Sequence, residues 1–224
     1  MSIARRLLVS SLAALAAAMS AASSSPFLDD PRWQVSVSGV QVSSTVEVLG
    51  GSYEGYGVDL GLSYRLSDRF GIGVTAIDHD VQDTFGIVFF EPLLEIETSY
   101  RATWLLARAD FHLTPHRRVD LILSPLVGFE STRDLEERVR FELPGGPAVG
   151  STVEFESEND LAWGARLALD IPLGRTPGRS SLSVGATFLH SHVEAAARVG
   201  GDLEETLEFD LEPIALHVGY AYRF

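Results

Sequence analysis

From residue 33 to the last residue the chain alternates apolar and polar side chains with a period of two, the mark of strands that present one apolar face. In residues 58–66, Val58, Leu60, Leu62, Tyr64 and Leu66 share one face, while Asp59, Gly61, Ser63 and Arg65 share the other. Residues 70–76, 105–113 and 182–188 alternate in the same way, and residues 214–224 do so throughout. Residues 33–48, 119–131 and 161–173 alternate with local slips, and Gly39 lies where the phase of the first of these changes, which predicts a bulge there. The pattern predicts eight strands, and no stretch after residue 32 reads as a strong helix. Short connections (residues 67–69, 114–118 and 174–179) alternate with long ones (roughly 79–93, 132–159 and 195–206). That asymmetry is the habit of outer-membrane barrels, with short turns at one end and long loops at the other; only the first hairpin, around Gly50 and Gly51, is tight where a long loop is expected.

The polar face decides between a membrane barrel and a soluble one. It carries Gly61, Ser63, Gly71, Gly73, Thr75, Gly128, Gly164, Ser183, Gly185, Thr187, Gly219 and Ala221. Small residues suit the crowded lumen of an eight-stranded barrel. On a soluble barrel the same positions would face water, where so many glycines would weaken the strands for no gain. Trp33, Tyr64, Phe70, Phe111, Trp163, Tyr220, Tyr222 and Phe224 collect near strand ends, where amphipathic rings meet a membrane interface. The fold class predicted is therefore all-β: an eight-stranded antiparallel up-and-down transmembrane β-barrel.

The first 22 residues read as an address. Arg5 and Arg6 precede an apolar run over residues 7–18, and Ser20-Ala21-Ala22 supplies small residues for signal peptidase. Residues 1–22 are then a cleaved signal peptide, 23–32 a linker and 33–224 the barrel. The apolar run is too short to cross a bilayer. Cysteine is absent, which excludes a disulfide scaffold, a thiol enzyme and a lipid-anchored N-terminal Cys. All 17 basic residues are Arg, against 31 acidic residues, for a net charge of −14. A chain this acidic with no basic stripe repels nucleic acid, so no nucleic-acid partner is expected.

The chain ends Leu216-His217-Val218-Gly219-Tyr220-Ala221-Tyr222-Arg223-Phe224. A terminal Phe preceded at every second position by Leu216, Val218, Tyr220 and Tyr222 resembles the assembly signal of bacterial outer-membrane proteins. The resemblance implies that the barrel-assembly machinery reads this strand, and that the barrel sits in the cell outer membrane among lipid and lipopolysaccharide; the even strand number then puts both termini on the periplasmic side. Asp210-Leu211-Glu212-Pro213, taken with the last six residues, is similar to the end of the OmpW-type family, within the broader class that includes OmpA-like membrane domains. That similarity implies a narrow porin-like channel for small or hydrophobic solutes.

The inward phase places two sets of residues. Asp59, Arg65, Arg108, Asp110, Asp120, Arg166, Asp170 and Arg223 fall toward the short turns, four Asp and four Arg that should pair in a narrow space because unpaired buried charge is costly. Such pairs serve either as a structural plug or as a gate that exchanges partners. Ile77, Trp104, Leu106, Ile122, Leu126 and Leu189 fall nearer the far end, as a dry packed core or as an apolar chamber that would take a small hydrophobic molecule. A one-residue slip in register would turn either set outward. The long connections are acidic and read either as a solvated, protein-repelling rim or as a face that attracts cations, divalent ions shared with lipopolysaccharide among them.

Enzymatic chemistry finds little support. His190, Ser191, His192 and Glu194 offer the residue types of a hydrolytic triad, but alternation points Ser191 away from both histidines. His112 and His116 flank a turn and His217 faces the lumen without a partner. The six histidines form no metal-ligand spacing, so neither metal nor other cofactor is expected. Three readings remain: a narrow channel, a surface-interaction barrel with a plugged lumen and acidic external loops, and, last, a lipid-modifying enzyme. Export should remove the first segment: N-terminal sequencing of envelope-derived protein is expected to begin at Ser23, and an intact Met1 would refute the signal peptide.

Overall fold

The computed structural model describes residues 32–46, 51–88, 93–115, 118–142, 149–157, 160–173, 179–199 and 202–224. Residues 1–22, read from the sequence as a signal peptide, and nearly all of the expected linker lie outside these residues. Ten strands run in order: β1 Trp33–Val46, β2 Gly51–Arg65, β3 Phe70–Val88, β4 Leu93–His112, β5 Asp120–Glu142, β6 Val149–Ser157, β7 Asp160–Pro172, β8 Ser180–Val199, β9 Asp202–Leu211 and β10 Ile214–Arg223. None of the described residues is helical. β6 and β7 both lie between β5 and β8 and form one stave broken once. β9 and β10 likewise share a stave, against β8 and β1. The ten strands thus make eight antiparallel staves, closed where β1 pairs with β10 from Gln34↔Arg223 to Ser43↔Ile214.

Closure fixes the tilt. Following register partners around the barrel leads from Ser36 through Gly61, Thr75, Leu106, Gly128, Ala162, Ser191 and Leu211 to Val46. The path returns to β1 ten residues beyond its start (Ser36 to Val46). At ~3.3 Å per residue that stagger is about 33 Å, against about 38 Å of strand spacing, so the strands tilt by about 40°.

The apolar face points outward. Leu60, Leu62, Ile72, Val74, Leu105, Leu123, Val127, Leu167, Leu169, Val184, Leu216 and Val218 are all exposed. At the end bearing the chain termini the belt is edged by Trp33 against Tyr64 and Phe70 against Phe111, with ring centroids 4.9 and 5.3 Å apart. A second girdle of Tyr56, Phe129 and Trp163 edges it on the far side. Tyr56 and Tyr64 are eight residues apart on β2, which spans about 20 Å at this tilt, close to the ~25 Å apolar band of a transmembrane barrel.

The inward glycines make room for charge. A Cβ on Gly73 would lie 2.9 Å from Arg108 Nε and one on Gly61 3.6 Å from Arg108 Nη1. The missing side chain at Gly73 leaves the guanidinium its slot, and the one at Gly61 leaves room for Ser36 Oγ, the atom nearest to where a Cβ would stand.

Two expectations change. Register runs unbroken through Gly39 on both sides of β1, so no bulge forms there. Ser36, Ser38, Val40 and Val42 all face inward; the polarity of the inward residues changes, not the phase. The long connections are also mostly strand. β3 and β4 stay paired to Val88↔Leu93, β5 and β6 to Phe141↔Val149, and β8 and β9 to Val199↔Asp202. Strands β9, β8, β6, β5, β4 and β3 therefore rise past the far girdle as a continuous wall. It opens on one side, above the short β1–β2 hairpin, which ends at Val46↔Gly51.

Leu167 lies midway between the girdles on the lipid-facing side. Leu167→Arg is expected to destabilise the refolded barrel in lipid by about 2–4 kcal/mol, read by denaturant unfolding; an unchanged midpoint would contradict the outward belt.

Candidate functional site in the barrel lumen

Strand alternation sends every second side chain into a lumen too narrow for water to fill, so its contents divide into layers. The charged layer occupies the terminal end. Arg166 Nη1 lies 2.8 Å from Asp59 Oδ2, Arg108 Nε 3.3 Å from Asp110 Oδ2, Arg65 Nη2 3.3 Å from Asp120 Oδ2 and Arg223 Nη2 3.5 Å from Asp170 Oδ2. All eight residues point inward, each Asp with an Arg. Arg223 also stands 3.9 Å from Asp120, and its Nε donates to Gln34 Oε1 at 2.8 Å.

Asp59 is the most enclosed of them, with 0 % of its surface exposed. Thr75 Oγ1 donates to its Oδ1, Arg166 meets its Oδ2, and His217 Nδ1 is 3.4 Å from the same oxygen. The far nitrogen of that ring, Nε2, is 2.6 Å from Thr187 Oγ1. His217 is therefore not alone, contrary to the sequence reading, because β10 pairs with β8 and is separated from β2 only by β1. His112 does more than flank a turn: its Nδ1 lies 2.7 Å from Asp120 Oδ2. Ser124 Oγ donates to Asp110 at 2.7 Å. Thr75, Ser124, Thr187 and Gln34 do not stand out in the sequence as site residues; their inward phase is the signal that marks them.

Two small cavities thread this layer. One of about 10 Å³ touches Arg32, Arg65, Gly71 and Arg223 at the mouth. The other, of about 20 Å³, reaches Arg108, Arg166, Asp170 and Ser183. Each has room for about one water molecule.

Beyond Asp59 comes an apolar layer. Ile77, Trp104, Leu106, Leu126 and Leu189 pack with Val40, Val42, Ala162 and Ala215, and Ile77, Trp104 and Leu106 are no more than 1 % exposed. Ile122 does not belong to this cluster. It is the register partner of His112 and Ala168 and lines the larger cavity beside Arg166, because β5 starts at Asp120 and Ile122, two residues on, is still at the terminal end. Next to this apolar layer lies a fifth carboxylate, Glu130, the register partner of Trp104. Glu130 is buried; Ser191 Oγ donates to its Oε2 and Thr132 Oγ1 to its Oε1. The sequence reading passes over Glu130, although it shares the phase of Leu126.

No protein-family model and no curated protein matches the chain. Solved structures do. The chain is similar to the Neisserial surface protein A, with a TM-score of 0.53 at 14% identity over 86% of this chain and 97% of that one. It is also similar to the outer membrane protein AlkL, solved in DMPC lipid bilayers, with a TM-score of 0.50 at 12% identity over 89% of this chain and 93% of that one. The fold is that of the small outer-membrane β-barrels.

Within this barrel the hydrolytic residues stand apart. Ser191 is fully buried in the lumen, whereas His190 and His192 lie on the outer surface beside Glu212 and Asp210. Leu216 and Val218 of the C-terminal strand face outward, exposed, and Tyr220 OH lies within hydrogen-bond reach of Ser180 Oγ. His116, Arg117 and the tips of the long hairpins fall outside the described residues.

Removing one partner of a buried ion pair strands the other, at about 3–5 kcal/mol. Asp59→Ala is expected to cost that much in denaturant unfolding, while Arg65→Ala, at the wetter mouth, costs about 1 kcal/mol or less. Equal losses would remove Asp59 from the centre of the network.

Proposed function

We propose that this is a bacterial outer-membrane surface barrel with a closed lumen, whose working face is the strand wall beyond the far girdle. The termini point to the periplasm and the wall projects outside, among lipopolysaccharide. One observation carries this reading: Ile77, Trp104 and Leu106 pack across the lumen with at most 1 % exposure. An apolar barrier of this kind excludes water and ions even though water-sized cavities approach it from the charged side.

A gated channel is the second reading, favoured by the overlapping pairs at the mouth. Asp120 is shared among Arg65, His112 and Arg223, and Arg223 lies between Asp120 and Asp170. Such pairs exchange partners at little cost. A small hydrophobic solute would have to displace the Leu106 layer on its way.

Planar-bilayer recording of refolded protein, with insertion checked by protease protection, separates the two. The closed barrel gives no discrete current steps, and Trp104→Ala/Leu106→Ala, which empties the apolar layer, introduces them. Steps from the unaltered protein would establish the channel. Their loss in Arg223→Ala would then place the gate at the mouth.

A further inference from the structure

Charge at the terminal end balances inside the lumen and not outside it. Within the charged layer each of four arginines faces an aspartate. Around the rim, each of the three connections at this end carries an exposed arginine: Arg69 between β2 and β3, Arg118 between β4 and β5, and Arg179 between β7 and β8. A fourth, Arg32, is exposed just ahead of β1. Connections at this end fall between every second pair of staves, so the four arginines stand about a quarter of the circumference apart. Among the described residues the only exposed acidic side chain at this rim is Asp68.

These positions are built into the last rungs of the ladders. Arg69 O accepts from His112 N at 2.9 Å, Arg179 O from Arg223 N at 2.6 Å and Arg32 O from Arg65 N at 2.8 Å. Beside Arg118, Leu113 N donates to Leu121 O at 2.7 Å and Thr114 Oγ1 to Val119 O at 2.9 Å. The backbone is held and the side chains extend from it. Arg32 and Arg69 directly precede Trp33 and Phe70 of the aromatic girdle. One residue along a strand is about 3.3 Å, so the guanidinium groups stand just past the girdle, at the depth of lipid phosphates. Arg32 has a partner of its own. No carboxylate among the described residues lies within ion-pair distance of Arg69, Arg118 or Arg179.

We propose that Arg69, Arg118 and Arg179 bind the phosphate groups of anionic phospholipids, phosphatidylglycerol or cardiolipin, in the leaflet that meets the terminal end of the barrel. A guanidinium stays charged, is weakly hydrated and presents a planar fork of donors that fits a phosphate. The chain has no lysine, so every side-chain cation at this rim is of that kind. In a protein of net charge −14 a positive rim is the exception, and it lies at the one depth where lipid supplies a fixed layer of phosphates. Anionic headgroups are favoured over phosphatidylcholine because the choline ammonium of the latter meets the same arginines. That this leaflet is the periplasmic one rests on the orientation proposed above; the lipid preference does not.

The three tryptophans provide the test. Trp33 faces lipid at the terminal girdle, Trp163 faces it at the far girdle, and Trp104 is enclosed in the lumen. W163F therefore reports lipid at the terminal end and W33F at the far end. Each is refolded into phosphatidylcholine vesicles containing brominated phosphatidylglycerol or brominated phosphatidylcholine, and fluorescence quenching gives the relative binding of the two lipids. At Trp33 phosphatidylglycerol should be preferred, by about fivefold for an arginine within reach, and the preference should shrink in 1 M salt. At Trp163 the two lipids should quench alike. R69Q/R118Q/R179Q in the W163F background should abolish the preference. Heat-dependent gel mobility reports whether that variant has folded, and the comparison of the two girdles decides the matter without it. The proposal is overturned if both lipids quench Trp33 alike, if Trp163 shows the same preference, or if the folded triple variant keeps it.

Discussion

The structure depends on one constraint: in hydrocarbon, every backbone N–H and C=O must find a partner within the protein. Eight staves achieve this only if the last meets the first. The β1–β10 ladder does so over ten register pairs, and Trp33 and Phe224 tie off its end through reciprocal bonds of 3.1 and 2.9 Å. Closing with so few strands forces a large stagger and a narrow lumen. The inward glycines, the packing of Arg108 into the space beside Gly73 and the pairing of Asp59, Asp110, Asp120 and Asp170 with arginines follow from that narrowness.

Within this lumen, chemistry changes with height. The terminal end tolerates charge because four guanidinium–carboxylate pairs compensate one another and hydroxyls and imidazoles satisfy much of the remainder. Arg suits this layer throughout, since the guanidinium stays charged and its planar fork serves several acceptors from one position. Further along, mutual compensation gives way to close packing, and Ile77, Trp104 and Leu106 leave no room for water. The boundary is Asp59, enclosed by groups from β3, β7 and β10, so three separate staves are tied to one carboxylate.

Much of this was legible in the sequence. Period-two alternation marked the strands, and the small residues on the polar face identified which face lines the lumen, because only an interior that narrow favours glycine. Phase was legible; height was not. Val40 and Val42 looked like a slip after Gly39 because apolar residues moved to the inward phase, when the strand had simply entered the apolar layer. Ile122 has the right phase for that layer and the wrong height, since its position depends on where β5 begins relative to β4 and β7. His217 looked solitary because its partners, Asp59 and Thr187, are distant in sequence and meet only once the barrel closes. The long connections read as loops because beyond the membrane neither face needs to be apolar, so the alternation that reveals a strand fades while the backbone pairing continues.

The short β1–β2 hairpin gives the molecule a heading. A barrel with equal walls would look the same from every direction in the plane of the membrane. This one rises on the β3–β6 and β8–β9 sides and dips at β1–β2, where the flanking strands β3 and β9 end their pairing, so its surroundings meet a front and a back. Neighbours diffusing in the same leaflet can distinguish the two by shape alone, and any complex the barrel enters through its wall has its rotational orientation set before a side chain is read.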